Sequence, residues 1–286
     1  FVIFYTNVFH HFFWDDDITK RVWKKIDTCL SEFIDDSENI MIISDHGSNK
    51  IHHTFNINTW LEQQGYLKMN NSVSDGFYQL GITRDRMIKL SDKIGIKGLV
   101  KRFAPRDLIE IIPNSDGSVV GRGKAEKINW KDSKAFASGQ GPIYILSENK
   151  EERAEIKNKI RSGLQSLTTP SGKGVTKEIY DAEQIYEGAY VNEGPDMVIE
   201  QADNIHIRGA LGAEQVFEQP DKWKAENHQD GLVILNGTDV RGNSGFNQPP
   251  SIYDIAPTIL HWYDSAIPQT MDGLVLSEIF KPKSDP

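Results

Sequence analysis

The sequence predicts an α/β protein, and three observations carry that prediction. Apolar runs of strand length occur at residues 1–6, 38–44 and 231–235. Segments with apolar residues at helical spacing lie between them, as at Val22, Ile26, Leu30 and Phe33. The 286 residues are 38% hydrophobic and 10% aromatic, enough for a packed core and too apolar for a disordered chain. That length fits one large domain or one domain with a sizeable insert.

The elements follow in chain order. Residues 1–6 read as a strand buried on both faces. The chain starts at Phe1 without Met, a basic segment or a small-residue cleavage site, so this is not a signal peptide. A start in mid-strand predicts that an N-terminal part of the domain is missing. Residues 18–34 read as a helix, with Asp15, Asp16 and Asp17 favouring its N-terminus. Residues 38–44 form a second strand that ends in Asp45-His46-Gly47. Residues 56–65 read as a helix with Asn56 as N-cap and Gly65 as the stop. Strand, helix, strand order predicts a parallel sheet.

Residues 67–225 are less regular. Helical patterns occur near 83–94 and 150–167, the second charged and mostly solvated. Short strands are expected at 142–146, 175–181 and 196–200. Gly121-Arg122-Gly123-Lys124 is a turn signal; a phosphate loop would need a strand before it and a helix after it. The regular pattern then resumes with the strand at 231–235, a helix at 251–263 with Pro257 near its first turns, and a closing element at 274–280. The expected division is a core of residues 1–66 and 226–286, with 67–225 as an inserted cap that shapes the pocket.

Charge and cysteine content narrow the function. Against 32 Lys+Arg stand 41 Asp+Glu, a net charge of −9. That balance argues against a stable nucleic-acid complex, which needs a basic face. The single cysteine, Cys29, excludes an intrachain disulfide framework and points to a cytoplasmic setting. No run reaches the roughly 20 apolar residues of a membrane span.

Three polar clusters sit near strand ends, where open α/β sheets bind ligands. Asp45-His46-Gly47 can converge on zinc or manganese if the chain turns there, which the glycine permits. Taken alone, the same residues read first as a strand-end Asp capping a turn with a surface histidine. Asn7 and His11 stand four apart, so in a helical turn they share a face and can chelate one ion. The other reading is a polar strand end before a packed aromatic cluster, Phe12-Phe13-Trp14. His228-Gln229-Asp230-Gly231 precedes the strand at 231–235, and a single histidine there can be a loop residue. Trp60, Trp130 and Trp223 read as packing or pocket walls. His52, His53, His206 and His261 read as structural or surface residues.

Taken in order and spacing, these blocks resemble the alkaline phosphatase superfamily, in its type I phosphodiesterase/nucleotide pyrophosphatase branch. Within that branch the nearest likeness is to the predicted phosphohydrolase/phosphomutase group. Asn7 through His11, then Phe12-Phe13-Trp14, matches an Asp-x-x-x-His block before aromatics. Ser44-Asp45-His46-Gly47 matches a Ser-Asp-His-Gly block. Asn58-Thr59-Trp60-Leu61 with Gly65-Tyr66-Leu67, the stretch from Asn129-Trp130 to Ala137, and Gly194-Pro195-Asp196 are similar to its middle blocks. His228-Gln229-Asp230-Gly231 is similar to its last metal-binding histidine. Asp254 to Leu260 and Pro268 to Gly273 are similar to its ending.

The resemblance implies a three-layer α/β/α sandwich and a metal-dependent phosphohydrolase acting on small phosphate esters or nucleotides. Alternatives within the superfamily are a phosphomutase or a sulfatase, and a catalytically inactive fragment or binding protein is a third reading. It also implies two divalent metals, zinc first and manganese second, beside a Thr or Ser nucleophile. Asn7, His11 and His228 would line one metal site; Asp45 and His46 would contribute to the other. Two departures stand out. The nucleophile block has no match in this chain and is expected upstream of Phe1. Asn7 occupies a position where the family has Asp, which removes a negative charge from that site.

Overall fold

A computed structural model describes residues 2–70, 73–95, 112–115, 117–119, 123–242, 245–246 and 248–281. In chain order the elements are α1 (Tyr5–Phe13), α2 (Asp17–Asp36), β1 (Asn39–Ile43), β2 (Gly47–Lys50), β3 (His53–Asn56), α3 (Ile57–Gln63), α4 (Val73–Gln79), α5 (Arg84–Lys93) and α6 (Gly123–Lys127). They continue with β4 (Ala135–Ala137), β5 (Pro142–Ile145), α7 (Lys150–Ser166), β6 (Thr176–Asp181), α8 (Ala182–Ile185), β7 (Met197–Gln201), β8 (Ile205–Arg208), β9 (Phe217–Glu218), β10 (Ala225–His228), β11 (Val233–Gly237) and α9 (Ile255–Trp262). The class is mixed α/β. The chain forms two compact units, residues 1–49 with 227–286, and residues 50–226.

In the first unit, the expected strand at 1–6 is not a strand: Tyr5 already begins helix α1. The apolar run lacked a period, and helical spacing pairs the rings that follow it. Phe9 reaches Phe13 at 6.1 Å and His10 reaches Trp14 at 5.5 Å, each four positions on. Val2 and Phe4 are exposed, so the segment does not pack as a strand buried on both faces. The mid-strand reading of the chain start therefore falls. Helix α2 begins where expected, with the Asp16 side chain accepting the Ile18 N–H at 2.7 Å. Val22, Ile26 and Leu30 form its half-buried stripe, while Phe33 remains exposed.

Strand β1 pairs with β11 in antiparallel register, Met41 opposite Leu235 and Ile43 opposite Val233. Among the described pairings only β3 with β8 is parallel, so the expected parallel sheet is replaced by mostly antiparallel ladders. The strand-helix-strand argument had counted residues 1–6 as a strand. Helix α9 carries Pro257 in its first turn, where the missing N–H costs nothing. Buried large apolar residues of this unit are few among those described: Val240, Ile255, Leu276 and Ile279.

The second unit holds a continuous apolar core. Sheet β4-β5-β7-β6 is antiparallel throughout, and β8-β3-β9 is a three-stranded sheet. The strands expected at 142–146, 175–181 and 196–200 are β5, β6 and β7. Helix α7 is more than a solvated helix: Ile156, Ile160 and Leu164 form a buried stripe at i, i+4, i+8. Its cap is Asn149, whose side chain accepts the N–H groups of Glu151 and Glu152. Gly121 and Arg122 lie outside the described residues; Gly123 opens the short helix α6.

Residues 50–66 pack in this second unit through Phe55, Ile57, Trp60 and Leu61. Asn56 does not cap α3 with its side chain. Its amide instead donates to Gln215 O and accepts from Arg208 Nε, both at 2.7 Å. Gly65 ends the helix with φ +78°, as the sequence predicts. Phe55 has no exposed surface and stacks on Phe217 at 5.4 Å. Phe55→Ala is expected to cost about 3–5 kcal/mol in urea unfolding, through lost burial and the cavity left behind. A loss below about 1 kcal/mol would mean that the core collapses around the gap.

Candidate functional site

All five predicted ligands, Asn7, His11, Asp45, His46 and His228, lie in the first unit. Two of the three clusters meet directly. After β1 the chain bends at Asp45 and re-forms as β2 from Gly47. The Ser44 hydroxyl accepts the Leu232 N–H at 2.8 Å, and Ser44 N–H donates to Leu232 O at 3.0 Å, across 188 positions of sequence. Gly47 and Gly231 make this approach possible. A Cβ on Gly47 would stand 2.0 Å from the Asp230 carbonyl oxygen, and one on Gly231 would stand 2.8 Å from Ser44 Oγ. Neither glycine has a positive φ. Gly47 therefore serves close approach of two backbones, and the left-handed turn the sequence allows there is not used.

The histidine hydrogen bonds define which ring nitrogens remain available. His46 Nδ1 lies 2.8 Å from the Gly47 carbonyl oxygen. A carbonyl only accepts, so Nδ1 carries the proton and Nε2 keeps its lone pair. That second bond is the arrangement that orients a metal-binding imidazole. Nε2 faces Asp45 Oδ1 at 3.7 Å. His228 Nδ1 accepts the Asp230 N–H at 3.2 Å, so its neutral ring carries the proton on Nε2, the tautomer opposite to that of His46, and a metal at Nε2 requires that hydrogen bond to break.

On α1, Asn7 and His11 are one helical turn apart, and His11 is buried. Asn7 Oδ1 is buried and, among the described residues, has no hydrogen-bond donor in reach. Buried polar atoms are almost always satisfied, so an orphaned oxygen calls for a reason. A cation is a partner of the right chemistry: an amide oxygen can coordinate one. The donor set therefore fits a divalent metal in type, oxygen from Asn7 and Asp45 and nitrogen from His11, His46 and His228. Among the described residues no three His, Cys, Asp or Glu side chains already stand together as a metal group.

His10 is a residue the sequence reading passed over. Its Nδ1 lies 2.9 Å from Ser48 Oγ, and its Nε2 accepts the Trp23 indole N–H at 3.0 Å. Its pKa is lowered, first by burial and then by the positive charge that His11 and His46 would carry nearby. The His10-His11 doublet was the available signal. A cleft of about 630 Å³ opens beside the bend, lined by Ser44, Asp45, Asp230, Leu232, Phe246 and Ile252 among others.

Several other motif residues are structural. The buried Asn58 amide donates to Ala137 O and Gly209 O and accepts the Ala137 N–H. Asp196 accepts the Ile145 N–H and pairs with Arg153. His206 pairs with Glu226, which also accepts from Trp223. His53 contacts Ser171, and His261 packs on Phe280.

The chain is thus a mixed α/β protein in which Asp45 and His46, after the end of β1, lie beside His228. The family model for type I phosphodiesterase / nucleotide pyrophosphatase matches residues 6–230, a span that includes all five predicted ligands. The chain belongs to that family, and at the level of family it is a hydrolase of phosphoric ester bonds. No curated protein and no solved structure matches it. Among the described residues, no helix is long and apolar enough to cross a membrane.

Proposed function

We propose that this chain supplies the metal-holding part of a metal-dependent phosphohydrolase, phosphodiesterase- or nucleotide pyrophosphatase-like, working in a cytoplasmic setting. The observation that supports it best is the backbone approach of residues 44–47 to residues 228–231, which brings the Asp-His pair beside the last motif histidine. Asn7, His11 and His228 would hold one divalent ion; Asp45 and His46 would contribute to the second. Zinc suits the nitrogen-rich set, and manganese is the alternative. When bound, such ions supply Lewis-acid stabilisation of phosphate oxygens and lower the pKa of an attacking hydroxyl or water.

The chain's own residues have separable tasks. Gly47 O accepts from His46 Nδ1 and so orients the ring, whose neutral form would offer Nε2 as a ligand. Ser44 fixes the loop that carries Asp45 and His46. Asp45 brings the one formal negative charge among the five candidates. Residues 67–225 would select the leaving group. The sandwich architecture of the superfamily and an upstream nucleophile belong to the same proposal, because no Ser or Thr in residues 1–286 matches the nucleophile block.

A non-catalytic metal-binding role is the second reading, favoured by the neutral Asn7. The test combines metal analysis with a chromogenic phosphodiester. The purified chain is expected to retain zinc or manganese after dialysis and to show no turnover alone. Metal-dependent turnover by residues 1–286 would refute the absence of a nucleophile. No bound metal, even after Asn7→Asp, would refute the metal-dependent reading.

A further inference from the structure

We propose that His10 is a positioning residue that fastens the helix carrying Asn7 and His11 to the strand that follows Asp45 and His46. This inference rests on the metal reading above. The Trp23 indole N–H is a donor only, so His10 Nε2, 3.0 Å away, must accept. The neutral ring then carries its proton on Nδ1 and donates to Ser48 Oγ at 2.9 Å. Both ring nitrogens are committed, and no lone pair remains for a metal. Adjacent histidines therefore differ in what they can do: His11 is buried on the same helix as Asn7, and His10 joins the elements around it.

The joint involves three elements of one unit. His10 is on α1, Trp23 on α2, and Ser48 on β2, two residues beyond His46. The His10 and Trp23 rings lie 5.7 Å apart at a 29° tilt, as the hydrogen bond to Nε2 sets them, and the His10 ring meets Trp14 at 5.5 Å and 70°. The Trp14 contact and two directed hydrogen bonds leave the imidazole one orientation. The separation of α1 from the Asp45-His46 bend is then set by a short, rigid link. Residues behind metal ligands act this way, and their loss weakens metal binding without removing a ligand.

Cobalt(II) titration of the full 286-residue chain, followed by its visible absorption, tests the role. His10→Ala and Ser48→Ala are each expected to weaken cobalt affinity about tenfold or more. The double variant should bind no more weakly than His10→Ala, because the two groups act through one bond. His10→Gln can both accept from Trp23 and donate to Ser48, so it should recover most of the affinity and the wild-type spectrum. Ser48→Ala and His10→Gln keep the test decisive if His10→Ala fails to fold. Wild-type affinity and spectrum in both Ser48→Ala and His10→Ala, or additive losses in the double variant, would overturn the role of His10 and leave the metal reading standing. A wild-type chain that binds no cobalt would overturn the metal reading, and the role of His10 with it.

Discussion

Gly47→Ala is expected to destabilise the first unit by about 3 kcal/mol and to weaken zinc binding roughly 10- to 100-fold. The added methyl would stand 2.0 Å from the Asp230 carbonyl oxygen and 3.8 Å from the His228 Cβ. Real Cβ atoms do not approach backbone that closely, so one strand must shift. The Asp230 side cannot give cheaply, since Leu232 is tied to Ser44 by two hydrogen bonds. Displacing residues 44–47 separates Asp45 and His46 from His228, which is why stability and metal affinity should fall together. Gly242→Ala is the matched control, because among the described residues a Cβ there meets nothing within 4 Å. Thermal unfolding and zinc titration of both variants decide the matter. A Gly47→Ala chain with wild-type midpoint and affinity would show that the two loops are not joined as described.

That glycine also shows what sequence could and could not reveal. Ser44 to Gly47 stood out in sequence as a candidate because charged and imidazole groups follow a run of apolar strand residues. The reason for the glycine was not, because it lies in a carbonyl 183 positions away that no local pattern encodes. Helices α2, α3, α5 and α7 were legible from caps and periods, and Gly65 was read correctly as a stop. Residues 1–6 were misread because a short apolar run has no period to separate strand from helix. Asn56 looks like a cap in sequence, yet its side chain is taken by Gln215 and Arg208, about 150 positions on. Metal-ligand candidates carry local signals of residue type and spacing. Ser48 and Trp23 carry none, since the His10 ring they hydrogen-bond comes from another element.

Asn7→Asp should change sign with metal, and that makes it the sharpest test of the site. Asn7 Oδ1 is buried without a donor among the described residues. A carboxylate placed there in the absence of metal is desolvated and unpaired, so the variant should be less stable than wild type in a chelator. With zinc present the same charge faces a dication at ligand distance, and the coulombic gain exceeds that of a neutral amide. An affinity increase of roughly 10- to 100-fold is expected, about 1.4–2.7 kcal/mol. Because zinc binds the folded state, that gain appears directly as added stability at fixed zinc. The melting curves of Asn7→Asp and wild type should therefore cross between chelator and saturating zinc. Asn7→Ala supplies the opposite control: it deletes the unsatisfied oxygen without adding charge, so apo stability should hold while zinc affinity falls. If Asn7→Asp lowered stability equally with and without zinc, Asn7 would not face a metal, and its oxygen would be an unsatisfied buried group.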